Sequence, residues 1–200
     1  MATQRDPLGN QPDGKALHKH EIRKVFHKQL KRLWDINLQL KKSTKIWYEM
    51  GHPSADEGGG AWCSNKRVSR VDYLADKYSK FGFKFVPLVP ENSSLLCSVK
   101  ILFLRPDVPG GVINSADIDN RLKTLFDAMR MPKNINELGG ANAEAGEDPF
   151  FCLLEDDSSI TRVEVDTDVM LEPLLDRFEP NDARLTIEVS LRPYHTTPFN

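Results

Sequence analysis

An α+β fold is predicted for this chain, with a mostly antiparallel or mixed sheet of about four strands and helices packed against it. Three observations predict it. The run Ser94 to Leu104 carries Leu95, Leu96, Val99, Ile101, Leu102 and Leu104, a mostly apolar stretch suited to the middle of a sheet. Arg184 to Arg192 alternates Leu185, Ile187, Val189 and Leu191 against Thr186, Glu188 and Ser190, the period of a strand with one face on a core. Between the two, Ile118, Leu122, Leu125, Phe126 and Met129 recur with the period of a helix and lay one apolar stripe along it.

The elements follow in order. Residues 1 to 14 hold Pro7, Gly9, Pro12 and Gly14 among polar residues and read as an extended arm. Lys15 to about Lys45 reads as a basic amphipathic helix with Ile22, Val25, Phe26, Leu30, Leu33, Trp34, Leu38 and Leu40 on its apolar side and a break near Asn37. Residues 51 to 61, with Gly58-Gly59-Gly60, form a linker, and 65–80 a second, weaker helix. Strands are expected near 81–89, 95–104, 158–166 and 184–192, the first two pairing as an antiparallel hairpin. Met131 to Pro149, rich in Asn and Gly, reads as a long surface loop, and Val169 to Phe178 as a short helix stopped by Pro180. The expected organisation is an N-terminal region over 1–62, made of arm, basic helix and linker, followed by one folded domain over 63–200.

Composition bounds the rest. No apolar run approaches a membrane span and no signal-peptide core opens the chain, so a soluble cytoplasmic protein without a membrane partner is expected. Cys63, Cys97 and Cys152 are odd in number and widely spaced, which suits reduced thiols and neither a disulfide framework nor a zinc site. His18, His20 and His27 do not match a common zinc spacing.

Charge is unevenly distributed. The 15–45 segment carries ten Lys and Arg against Glu21 and Asp35, in a chain of net charge −2. Clustered cations gain affinity for nucleic acid by releasing its condensed counterions, so Lys19, Arg23, Lys24, Lys28, Lys31 and Arg32 read as a DNA-backbone contact surface. From Glu137 to Asp182 there are fourteen acids and only Arg162 and Arg177 as bases. A second reading therefore pairs the basic helix with this acidic segment, in the same chain or a partner, and takes it away from DNA; a third leaves it as a solvated face.

Site chemistry coincides with helix periodicity only at Asp117-Ile118-Asp119-Asn120-Arg121-Leu122-Lys123. Asp119, Lys123 and Asp127 stand four apart on one flank, with Arg130 close to the same line. An N-cap role explains one acid at a helix start. Two acids followed by a Lys one turn on could hold a hard divalent cation and face a phosphate. A further acidic group, Glu155-Asp156-Asp157, lies between the apolar run Phe150 to Leu154 and the β-type run Ile160 to Val165.

These residues resemble the RusA-like Holliday junction resolvases, small Mg-dependent endonucleases. The match is D-I-D-N-x-x-K at Asp117 to Lys123, then Leu125-Phe126-Asp127-Ala128, and later Asp156-Asp157 ahead of Ser158-Ser159-Ile160. It covers roughly residues 80 to 192, and the 132–150 segment is an insertion relative to the family. The resemblance implies that Asp117, Asp119 and Asp157 are catalytic metal-binding carboxylates, with Asp156 beside them, and that Lys123 is the catalytic or phosphate-contacting lysine. It also implies Mg²⁺ as cofactor, with Mn²⁺ as a substitute, a homodimer, and branched DNA as partner.

The function expected is hydrolysis of four-way DNA junctions by metal-activated water, in recombination and repair. Two alternatives stand beside it. One is a related metal-dependent nuclease on other branched or single-stranded DNA. The other is a non-catalytic binding or regulatory protein in which the Asp117 motif is only a well-capped helix.

Overall fold

The computed structural model describes residues 14–43, 48–50, 63–67, 69–106, 117–172 and 183–194, with only the backbone described at 41–43, 48–50, 63–67 and 117–118. The expected arm, Gly-rich linker, 173–178 helical stretch and C-terminal tail lie outside these residues. The chain is α+β and divides into two compact units. One comprises Met1–Leu88 with Ala128–Leu153, the other Val89–Asp127 with Leu154–Asn200, so each draws on two separate stretches. No helix among the described residues is long and apolar enough to cross a membrane.

In the first unit, α1 spans Gly14–Ile36 and a short α2 spans Leu38–Ser43. The break expected near Asn37 has a physical cause. The Asn37 Oδ1 accepts from the backbone N–H of Gln39 (2.9 Å) and Leu40 (3.1 Å), which caps a new helix and ends the old one. Strands β1 (Tyr48–Met50) and β2 (Cys63–Arg67) pair antiparallel, so the first part of the expected 65–80 helix is strand. The helix that remains, α3, is Arg70–Lys77, started by Ser69, whose side chain accepts from the N–H of Asp72. Strands β3 (Ser79–Lys80), β4 (Phe83–Val89) and β6 (Phe150–Leu154) form one sheet with β4 in the middle. All five residues of β6 are buried, and Phe150 meets both Phe83 and Phe85 edge to face.

In the second unit, β5 (Leu95–Arg105) is the central strand, between β7 (Ile160–Val169) and β8 (Arg184–Pro193). β5 and β7 run parallel, from Cys97 opposite Ile160 to Arg105 opposite Val169, whereas β8 pairs antiparallel. The expected hairpin between 81–89 and 95–104 does not form. A 3-10 turn over Glu91–Ser93, with Ser94 in the left-handed region (φ 52°), redirects the chain, and both edges of β5 are taken by β7 and β8. The expected single sheet is therefore two sheets of three strands. Cys97, Val99, Ile101 and Phe103 point to one face and are buried, each aliphatic or aromatic side chain contributing roughly 1.5–3 kcal/mol. Lys100 points to the other face, where it pairs with Glu164 (2.6 Å) and Asp166 (3.3 Å). The expected helix after Val169 gives way at its start to the end of β7, where the Met170 N–H donates to Arg105 O.

Helix α4 spans Asp117–Met129 and follows β5. Leu125 and Met129 of the expected stripe are buried, Leu122 and Phe126 half-buried, and Ala128 beside them is buried as well; the Arg121 guanidinium lies 6.0 Å from the centre of the Phe103 ring, placing α4 on the apolar face of the sheet.

The 132–149 segment, read from composition as a surface loop, is a folded connection. It contains a 3-10 turn over Ile135–Leu138 capped by the Asn134 side chain, and Leu138 and Met131 are almost fully buried. Gly139 ends that turn with φ +62°, and a Cβ built there would stand 2.6 Å from the Leu17 backbone nitrogen of α1. Gly140 has φ +81° but faces open space. Gly139→Ala is therefore expected to cost more stability than Gly140→Ala, by on the order of 1–3 kcal/mol, in urea denaturation followed by tryptophan fluorescence. Equal costs would show that α1 does not approach Gly139 this closely.

Candidate functional site

The motif residues open α4. Asp119 and Asn120 on its first turn are exposed, as is Lys123 one turn on, while the Thr124 hydroxyl donates back to Asn120 O (2.8 Å). The Asp117 side chain lies outside the described residues; its backbone begins the helix. The flank turns inward further along, where Asp127 and Arg130 are buried at 9 and 5 % exposure. The charged face expected from spacing is thus a solvent-facing Asp119–Lys123 end and a packed Asp127–Arg130 end.

The acidic pair before β7 sits in a 3-10 turn, Asp157–Ser159. The Asp156 side chain caps that turn by accepting from the Ser158 N–H (3.0 Å), and Asp156 and Asp157 are both half-buried. Glu155 is tied nearby: its N–H donates to Val89 O (3.1 Å) and its carboxylate accepts from the Glu91 N–H (2.9 Å).

Two contacts relate these groups to β5. Asp119 is two residues ahead of Arg121, which lies over Phe103 near the C-terminal end of the strand. Asp157 is three residues ahead of Ile160, which pairs with Cys97 near the N-terminal end. Asp119, Asp156 and Asp157 do not form a group close enough to hold a metal ion, nor do any three His, Cys, Asp or Glu side chains among the described residues. Of the motif residues, Asp119 and Lys123 stand one turn apart on α4, and Asp156 and Asp157 adjoin in the turn before β7.

The six basic residues assigned to DNA all lie on α1, and the structure divides them. Arg23 is fully buried; its Nε donates to Arg130 O (3.2 Å), and Nη1 reaches His20 Nδ1 (3.4 Å) and Glu137 O (3.5 Å). Lys24 pairs with Glu144 (2.8 Å) and approaches Glu147 and Glu21 (both 3.7 Å). Lys31 donates to Gly146 O (2.9 Å). Lys19 is half-buried, whereas Lys28 and Arg32 are exposed. Three of the six are thus committed to the 130–147 segment, the arrangement of the second charge reading, and Arg23 in particular is removed from direct phosphate contact by burial.

Of the expected apolar side of α1, Leu30 and Trp34 pack inward, whereas Val25 is 55 % exposed. The buried face is Ala16, His20, Arg23, His27, Leu30 and Trp34, spaced alternately four and three apart. That spacing was readable, but hydropathy hid it, because three of the six residues are polar. Each has a reason to be inside. His27 Nδ1 accepts from the Phe151 N–H (2.9 Å), which leaves Nε2–H to donate to Gly146 O (3.2 Å), and its ring stacks on Phe150 at 4.5 Å. His20 stacks on Phe150 and meets Phe83 edge on. Arg130, which offers its carbonyl to Arg23, is paired with Glu137 through both terminal nitrogens (3.0 and 3.3 Å).

Burial, aided by the Arg23 and Lys24 charges, pushes His20 down to about 4, and burial also lowers His27. The two buried free thiols respond in the opposite sense, Cys152 being pushed up to about 12 and Cys97 also raised. In the unfolded chain both histidines protonate near pH 6.5, before they do in the folded one. Unfolding therefore takes up protons as pH falls below about 6.5, and stability declines from there toward pH 4. The His20 contribution to that decline is up to about 3 kcal/mol, and above pH 7 it vanishes. Urea midpoints measured between pH 8 and pH 4.5 are expected to be flat at first and then to fall, with a shallower fall in His20→Phe; a slope unchanged by that substitution would place the proton uptake elsewhere.

Compared with protein-family models, with curated proteins and with solved structures, the chain matches none.

Proposed function

We propose that this chain is a Mg-dependent endodeoxyribonuclease that cuts four-way DNA junctions in recombination and repair. The observation that carries the reading is that Asp119, Asn120 and Lys123, three residues of the D-I-D-N-x-x-K motif, open α4 exposed to solvent while the opposite side of the helix is buried.

Asp117, Asp119 and Asp157, with Asp156 beside them, would hold the Mg²⁺ that the resemblance implies, and the metal would supply an activated water for attack on the phosphate. Lys123 presents a flexible ammonium to the non-bridging oxygens of the scissile phosphate and offsets the charge that builds there. Asp119, one turn away on the same flank, is placed to orient a water and to take its proton. Among the six assigned cations of α1, Lys28 and Arg32 remain exposed for backbone contact. This commitment of α1 favours, as a second reading, a nuclease of the same chemistry acting on another branched or single-stranded DNA, where a long basic helix is not required.

Purified protein is to be assayed on a labelled four-way junction, a flap, a single strand and a linear duplex, with Mg²⁺ or with EDTA. Paired symmetric cuts in the junction are expected, lost with EDTA and reduced at least about 10²-fold in Asp119→Asn and in Lys123→Ala. Preference for the flap or the single strand selects the second reading. Absence of any cleavage with Mg²⁺ or Mn²⁺ leaves a binding role for the chain.

A further inference from the structure

Within the first compact unit, a cleft of about 610 Å³ runs between α1 and the turn Glu144–Glu147. Lys24, Lys28 and Lys31 line its helical wall at spacings of four and three, so three ammonium groups follow one row over about 10 Å of helix axis. The opposite wall is closed on itself. The Glu147 N–H donates to Glu144 O (3.0 Å), and the Glu147 carboxylate accepts from the Glu144 N–H (2.9 Å). Gly146 takes φ +93° there, and its carbonyl accepts from Lys31 Nζ (2.9 Å) and His27 Nε2 (3.2 Å), which fastens the backbone of the turn to α1.

The Glu144 side chain is held differently. It is 69 % exposed and lays its carboxylate on Lys24 Nζ (2.8 Å) at the mouth of the cleft. An ion pair so exposed contributes only about 0–1 kcal/mol, so another anion can take the place of Glu144 by rotation of one side chain, with the backbone of the turn left as it stands. Lys31 keeps donors for that anion beyond the one given to Gly146 O, because an ammonium carries three.

We infer that this cleft is a site for the phosphodiester backbone of DNA, and that Glu144 is a built-in competitor lying on Lys24 where a phosphate oxygen would lie. A backbone suits the row better than an isolated phosphate, because successive phosphates of one strand follow each other within the length from Lys24 to Lys31. With Glu144 in place, Glu21, Glu144 and Glu147 balance the three lysines of the cleft; with it withdrawn, positive charge is in excess there. Exchange of Glu144 for a phosphate gives the strand a contact at Lys24 while the gain from counterion release is offset by the ion pair lost.

The inference rests on the nuclease reading for its class of ligand, and its test reads binding without cleavage. A fluorescein-labelled single strand and a labelled four-way junction are to be titrated with the full chain in EDTA, by anisotropy, between about 50 and 200 mM salt. Glu144→Gln is expected to tighten binding by about 3- to 10-fold at the low-salt end and to steepen the fall of log K with log salt by about 0.7 on the single strand and about 0.9 on the junction arms. Adding Lys24→Gln is expected to abolish both gains. Glu188→Gln removes an exposed carboxylate from the Lys100 face of the second unit, matches the change in net charge, and is expected to alter neither quantity. An equal effect of Glu188→Gln, or binding by the wild type that Glu144→Gln leaves unaltered, overturns the inference, and cleavage by the wild type in that case keeps the nuclease reading. If Glu144→Gln shows the gain and the wild type cleaves nothing with Mg²⁺, the cleft stands and the nuclease reading falls. Absence of binding by every one of these chains overturns both.

Discussion

Parallel pairing of β5 with β7 is the constraint from which most of the remaining structure follows. Antiparallel neighbours can be joined by a tight turn, but parallel ones require the chain to travel back the length of the strand. In this chain that return occupies residues 106–159 and contains α4, the folded 131–149 connection, β6 and the turn that starts β7. Each of these has to bury something on the way. α4 gives its Leu125, Ala128 and Met129 side, and β6 all five of its residues. The same constraint fixes the position of the acids, since one group begins the return and the other ends it.

The second organising feature is polar. Burying an arginine is costly unless its donors are satisfied, and Arg23 meets that condition with two backbone carbonyls and the ring nitrogen of His20. One of those carbonyls belongs to Arg130, which is itself held by both oxygens of Glu137, so α1, the end of α4 and the 133–137 turn form one connected set of charge-assisted bonds. Such a network specifies an alignment of α1 more strictly than a stripe of leucines would, because a shift by one residue strands several buried donors at once. The 131–149 connection is therefore the surface on which the basic helix rests.

What could be read from the chain depended on whether a signal lay in one segment or in the pairing of two. β8 alternates cleanly and α4 keeps its apolar period, so both were readable to within a residue or two. Asn37 as a break was readable because an Asn between two helical runs caps the second. β6 is only five apolar residues, too short for its period to distinguish strand from buried coil. The partners of β4 and β5 were not readable at all, because two adjacent β-rich runs with a short link look the same whether they pair or enter separate sheets. On α1 the heptad-like spacing was present, but Arg23 and His27 were weighed by their usual preference for solvent, and what keeps them inside lies more than a hundred positions away. At the site, the motif located Asp119 and Lys123 on one helix turn, yet sequence order alone carried no information on which end of β5 received Asp157.

The fate of the basic segment bears on how this chain could hold DNA. Counterion release scales with the number of phosphates neutralised, so cations already paired with Glu144 or donating to backbone carbonyls add little to it. Of the residues assigned to DNA contact, Lys28, Arg32 and the motif's own Lys123 remain exposed. Lys28 and Arg32 lie on the solvent side of α1, whereas Arg23, Lys24 and Lys31 are tied to the 130–147 segment and Lys19 is half-buried, so, while those ties hold, a DNA contact made by these six residues would have to run through Lys28 and Arg32.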